Sequence, residues 1–162
     1  MTNLLLIQFK NSNKKPYYPN NWTNSIIFCR INFMKKVLIV DDIPGWIRFH
    51  QNNIEHLNIE KLQIDTANSA REGLAKIEAS IDNPYCAIFT DLQMESDFLP
   101  KLAGEWFIEQ IKTYNKYYSK TKIIIVSASP SIKQIAQHNN VDYIPKSIIR
   151  NAEAKIYANY IL

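Results

Sequence analysis

Four short apolar runs in this chain each end on residues able to do chemistry. Val37-Leu38-Ile39-Val40 leads into Asp41-Asp42, and Tyr85-Cys86-Ala87-Ile88-Phe89-Thr90 leads into Asp91. Ile123-Ile124-Ile125-Val126 leads into Ser127, and Val141-Asp142-Tyr143-Ile144-Pro145 leads into Lys146. Runs that are apolar on both faces suit the middle of a parallel sheet, and open α/β sheets carry their sites at the carboxyl ends of such strands. One Asp at a strand end is commonly a helix cap or a turn residue. Four such ends on one sheet edge are a different matter. Three carboxylates gathered there repel one another unless a cation neutralises them, and a hard, oxygen-seeking ion such as Mg²⁺ suits carboxylates and water. With the ion in place, the lysine ammonium and the serine hydroxyl can each take a further phosphoryl oxygen. A carboxylate held in line can then act as nucleophile and form an acyl phosphate. The set points to phosphoryl transfer onto Asp91.

The intervening sequence must hold these ends in place. Pro44 suits a first helical turn, and Trp46, Ile47, Phe49 and Ile54 extend that helix to about Leu57. A short strand, Leu62 to Thr66, precedes Asn68 or Ser69 as a cap, and a helix follows over Ala70 to Ala79 with Leu74 and Ile77 inward. After Asp91 comes a long loop, 92 to 103, then a helix carrying Trp106, Phe107 and Ile111. Ile132 to His138 is read as a short helix and Val141 to Ile144 as a strand. Ile148 to Ile161 is read as one last helix, with Ile149, Ala152, Ile156 and Tyr160 inward. Five alternations of strand and helix predict a (βα)5, flavodoxin-like doubly wound parallel sheet covered on both faces.

The length, 162 residues, fits one domain plus a remainder, and 46% apolar against 21% charged residues is enough for a real core. The net charge of +4 and the pI near 9.0 raise the question of nucleic acid. Residues 1 to 33, however, hold Lys10, Lys14, Lys15 and Arg30 and no acid, which leaves 15 basic and 15 acidic side chains in the rest. The folded part is neutral, so no nucleic-acid surface is expected on it. That Asn-rich front is read as an N-terminal extension, either disordered or upstream of a true start at Met34, with an anion-binding arm as the alternative. The domain is placed at 34 to 162, without an attached output module. Cys29 and Cys86 are too few for a disulfide framework or a zinc site. No run approaches the roughly 20 apolar residues that span a bilayer, so no membrane contact and a cytoplasmic location are expected.

Val-Leu-Ile-Val-Asp41-Asp42, Ala-Ile-Phe-Thr-Asp91, Ile-Ile-Val-Ser127-Ala128 and Tyr143-Ile-Pro-Lys146 resemble, in order, the four signatures of response-regulator receiver domains. Their separations of 49, 36 and 19 residues are suitable ones, and the resemblance covers 34 to 162. It implies the strand order 2-1-3-4-5 and a phosphoacceptor rather than an enzyme. Asp91 would be phosphorylated by a histidine kinase or a histidine phosphotransfer protein. Asp42 and Asp91 would ligate Mg²⁺ directly, Asp41 mainly through water, and the Gln93 backbone carbonyl would add a ligand. Lys146 would pair with the phosphoryl oxygens, Ser127 would swing to hydrogen-bond them, and Tyr143 would follow as the aromatic switch. Phosphorylation would then change which protein is bound, as a monomer or through a phosphorylation-dependent dimer.

The chain departs from the family pattern twice. Ser147, not proline, follows Lys146, with Pro145 before it. After Asp91 the usual proline is missing, Gly104 arrives about five residues late, and Glu95 and Asp97 add negative charge beside the site. Two other readings remain. A receiver-shaped module could bind partners without phosphorylation, although it would have no physical reason to keep Asp41, Asp42, Asp91, Ser127 and Lys146. An aspartyl-nucleophile phosphohydrolase would carry a second acid two residues after its nucleophile, where this chain has Gln93. His50, His56 and His138 lie on helices away from the nucleophile and are given no catalytic role. Trp46 follows the acidic pair closely enough to report on metal or phosphate.

Overall fold

The structure, a computed structural model, describes residues 34–95, 101–152 and 154–162. The expectations for residues 1 to 33, including Cys29, and for Asp97 lie outside them. A five-stranded, all-parallel sheet has the order β2-β1-β3-β4-β5, as expected, from β1 (Lys35–Val40), β2 (Leu62–Ala67), β3 (Ala87–Thr90), β4 (Lys122–Ser127) and β5 (Asp142–Pro145). The helices are α1 (Pro44–Glu55), α2 (Ala70–Ala79), α3 (Ala103–Thr113), α4 (Asn115–Tyr118), α5 (Ile132–Asn139), α6 (Lys146–Ile149) and α7 (Lys155–Ile161).

Alternation along β1 explains why both faces must be covered. Val37 and Ile39 enter one core with Ile47, Ile54 and Tyr157, whereas Leu38 and Val40 enter another with Ile77, Phe107 and Ile111. These four apolar β1 side chains are fully buried, each worth about 1.5–3 kcal/mol relative to exposure. A third cluster joins Leu92 and Ile125 to Ile108 and Ile132 under α3 and α5. Local signals set the helix ends. Pro44 opens α1, and the Ser69 hydroxyl accepts from the Glu72 N–H at 3.0 Å to cap α2. Asn140, with φ of 52°, takes the left-handed position that ends α5.

The single helix expected over Ile148 to Ile161 is instead two short ones, α6 and α7. The backbone tightens after Arg150: the Asn151 and Ala152 N–H groups donate to the Ile148 and Ile149 carbonyls, three residues back instead of four, at 3.1 and 3.2 Å. The Asn151 side-chain amide takes the Ser147 carbonyl at 3.3 Å, the acceptor its own N–H would use in a continuing helix. The phase therefore resets, and Ile149, Tyr157 and Ile161 are the buried positions, while Ile156 and Tyr160 are only half-buried. Cys86 is also half-buried just before β3, rather than inside the strand.

Candidate functional site

The carboxyl edge of the sheet gathers the acidic groups. Asp41 continues from β1, its N–H donating to the Ala67 carbonyl at 3.1 Å, and Asp91 continues from β3, donating to the Val40 carbonyl at 2.9 Å. Parallel pairing of Val40 with Ala67 and with Thr90 thus puts the two aspartates side by side. Asp41, Asp42 and Asp91 each bring a carboxylate oxygen within 4.8 Å of the others. Asp41 and Asp91 are buried and Asp42 is exposed.

Lys146 stands between the two buried carboxylates. Its Nζ lies 2.7 Å from Asp41 Oδ2 and 2.7 Å from Asp91 Oδ2, and the lysine itself is buried. The other oxygen of each carboxylate is also held: the Ile43 N–H donates to Asp41 Oδ1 at 2.9 Å, and the Leu92 N–H to Asp91 Oδ1 at 2.6 Å. Both carboxylates are therefore fixed in orientation before any ligand arrives. Burial pushes the Asp41 carboxyl above its usual range, outweighing the hydrogen bonds from Lys146 and Ile43 that work the other way. Three carboxylates face one ammonium, all the ligand atoms are hard oxygens, and one carboxylate is open to solvent. This donor set fits a divalent oxygen-seeking cation and suits neither zinc nor a soft metal.

A cavity of about 540 Å³ opens over this edge, lined by Asp91, Gln93, Ala128, Lys146 and Ser147, with Ile43, Trp46 and Arg150 at its side. Gln93 is exposed there. Ser127 ends β4 one strand away from Asp91, buried, its hydroxyl accepting from the Ser129 N–H at 3.3 Å. Tyr143 lies on β5, is 36% exposed and does not line the cavity. The sequence-selected residues thus form a tight centre of Asp41, Asp42, Asp91 and Lys146, with Gln93 at the rim, Ser127 alongside and Tyr143 apart.

Behind the cavity wall His50 is 1% exposed, stacks on Trp46 with ring centroids 5.8 Å apart, and shares a 2.6 Å hydrogen bond with the Tyr157 hydroxyl. Its pKa is lowered to about 4, first by burial and then by the Lys146 charge, with Asp91 acting in the opposite sense. It is a packed neutral imidazole. His56 and His138 are exposed.

Three features escape a reading of the sequence. The Glu95 carboxylate accepts from the Ala70 and Arg71 N–H groups at 3.1 and 3.4 Å, so it caps α2 instead of adding free charge to the acidic edge. Gly104, in the first turn of α3, sits so close to Asp91 that a Cβ there would meet the Asp91 carbonyl oxygen at 1.9 Å. The longer loop thus enters before Gly104 and leaves α3 seated against Asp91. Arg150 comes to the cavity because it lies four residues after Lys146 in the turn that α6 begins.

A parallel sheet of this order, with a buried Asp–Lys–Asp cluster at the carboxyl ends of β1, β3 and β5, defines an α/β domain with its charged groups gathered at one sheet edge. The family model described as the response regulator receiver domain matches residues 37–156, and the chain belongs to that family. Solved structures agree on the fold. A CheY-like receiver domain protein from Methanospirillum hungatei is 22% identical, with 78% of this chain and 89% of that one covered at a TM-score of 0.55. The signal receiver domain of the response regulator NarL from Mycobacterium tuberculosis is 17% identical, covering 77% and 94% at 0.59. The response regulator TrrA from Thermotoga maritima, solved in complex with Mg²⁺ and BeF, is 25% identical, covering 80% and 100% at 0.56. No curated protein matches the chain. Among the described residues no helix is long and apolar enough to cross a membrane.

Proposed function

We propose that this receiver domain accepts a phosphoryl group on Asp91 from a histidine kinase or histidine phosphotransfer protein and signals by changing which protein it binds. The observation that carries the reading is the Asp91 carboxylate, buried, oriented by the Leu92 N–H, and 2.7 Å from Lys146. In the transfer an Asp91 oxygen bonds to phosphorus while the bond from phosphorus to the donor nitrogen breaks, its electron pair staying on the imidazole. Asp42 and Asp91 would hold Mg²⁺ directly, Asp41 through water, and the Gln93 carbonyl would complete the protein's share. Bound there, Mg²⁺ neutralises the excess carboxylate charge and orients phosphoryl oxygens.

Lys146 keeps one ammonium at the reacting carboxylate and can shift from Asp91 Oδ2 to a phosphoryl oxygen without leaving the site. Ser127, at the neighbouring strand end, is the hydroxyl that would turn toward the new group. Tyr143, on the strand that delivers Lys146, would carry the change to the surface. The presence of every charged group argues against a module that binds without phosphorylation, and Gln93 argues against a phosphohydrolase.

The test is intact mass after incubation with acetyl phosphate. A Mg²⁺-dependent gain of one phosphoryl group that is absent in Asp91→Asn is expected. An unchanged mass for the wild-type protein would overturn the reading.

A further inference from the structure

Two cations rest on one indole at the edge of the site. Lys146 Nζ lies 4.9 Å and Arg150 Cζ 5.6 Å from the centroid of the Trp46 ring. The pairing follows from how β5 ends. Lys146 is already the first residue of α6, the Arg150 N–H donates to the Lys146 carbonyl at 3.2 Å, and residues four apart in a helical turn share a face. The two cations differ in their engagement. Lys146 is buried between Asp41 and Asp91. Arg150 is exposed, and among the described residues no carboxylate pairs with it. It nevertheless lines the same cavity as Asp91.

We propose that Arg150 is a second phosphoryl-binding cation: it rests on Trp46 while Asp91 is free and moves onto the phosphoryl oxygens once Asp91 is modified. The proposal rests on the reading of Asp91 as acceptor. Charge balance motivates it. Three carboxylates, one ammonium and a divalent cation sum to zero, whereas an acyl phosphate in place of the Asp91 carboxylate adds about one further negative charge. Lys146 cannot supply the difference, because its charge is already counted against Asp41 and Asp91. An exposed guanidinium on a half-buried indole is held weakly, and its fork of donors matches phosphoryl oxygens well. Departure of Arg150 from the indole would also change the surroundings of Trp46, which makes the tryptophan a reporter.

The experiment compares the full chain as wild type, Arg150→Gln and Arg150→Lys. Calorimetric titrations use Mg²⁺ alone and then the beryllium fluoride complex at saturating Mg²⁺, with tryptophan fluorescence recorded in parallel and Trp46→Phe as the control for its signal. Arg150→Gln is expected to bind the fluoride complex roughly fivefold to tenfold more weakly, as fits one partly solvated charge-assisted contact. Arg150→Lys should recover most of that loss, and affinity for Mg²⁺ alone should be unchanged or tighter in Arg150→Gln. Equal affinity of wild type and Arg150→Gln for the fluoride complex would overturn the proposal and leave Asp91 as acceptor. So would a parallel loss of affinity for Mg²⁺, which would mark a structural defect. A wild-type protein that binds no fluoride complex would overturn the acceptor reading, and this proposal with it.

Discussion

His50 should make the stability of this domain fall as pH drops from about 6.5 toward about 4. The imidazole is 1% exposed, bonded to the Tyr157 hydroxyl and covered by Trp46 and Phe49, and its pKa falls from 6.5 to about 4. The charged groups acting on it are Lys146, which disfavours the imidazolium, and Asp91, which favours it. Since the folded-state value is the lower one, the unfolded chain binds the proton first as pH falls. The contribution is fully present above pH 6.5 and is lost progressively as pH drops toward 4. At about 1.4 kcal/mol per pH unit, a shift of this size corresponds to about 3 kcal/mol. Asp41 works in the opposite direction, because its folded pKa is raised and the stability it lends at low pH is lost as pH rises. The His50 share must therefore be isolated by difference. Urea melts of wild type and His50→Gln at constant ionic strength, from pH 7.5 to pH 4.5 in steps, give that difference directly. Glutamine cannot titrate, so the wild-type advantage should shrink by about 2–3 kcal/mol across the series. Two stability curves that stay parallel would refute the assignment, as would an NMR titration placing the His50 ring near its ordinary pKa.

Other perturbations test the same geometry. Lys146→Met leaves Asp41 and Asp91 buried without their shared cation. It should cost about 3–5 kcal/mol in urea melts at neutral pH without metal, and less with Mg²⁺ present. Gly104→Ala places a methyl group 1.9 Å from the Asp91 carbonyl oxygen; the seat of α3 must move, and a loss of about 2 kcal/mol or more is expected in the same assay, against the usual helix preference for alanine. Glu95→Gln weakens the cap on α2 and should lower stability by about 0.5–1 kcal/mol, a difference that high salt should reduce.

The fold was legible because a parallel sheet covered on both faces leaves near-continuous apolar runs, and Val37 to Val40 and Ile123 to Val126 are such runs. The acidic centre was legible for a related reason: in such a sheet, the residues just past each run all lie at one edge. The features that escaped depend on contacts between distant segments or on competition within one turn. Glu95 reads as free charge until the α2 N-terminus, 25 residues earlier, is seen to take it. The break between α6 and α7 lies in backbone bonds that reach back three residues instead of four at Asn151 and Ala152, which periodicity does not register. Gly104 looks displaced by five residues when counted from Asp91, yet it performs the close approach because spacing in the loop does not matter once α3 packs. Arg150 carried a usable signal, four residues past Lys146, but only if a helical turn starts at the lysine itself.

The measurement closest to the central claim is trapping of the modified residue. Protein incubated with acetyl phosphate and Mg²⁺ is treated with borohydride, which reduces an aspartyl phosphate to homoserine, and is then digested and sequenced by mass spectrometry. The account predicts homoserine at position 91, dependent on both Mg²⁺ and the phosphodonor. Homoserine at position 41 or 42 instead, or at no aspartate while the intact protein gains phosphate, would contradict it.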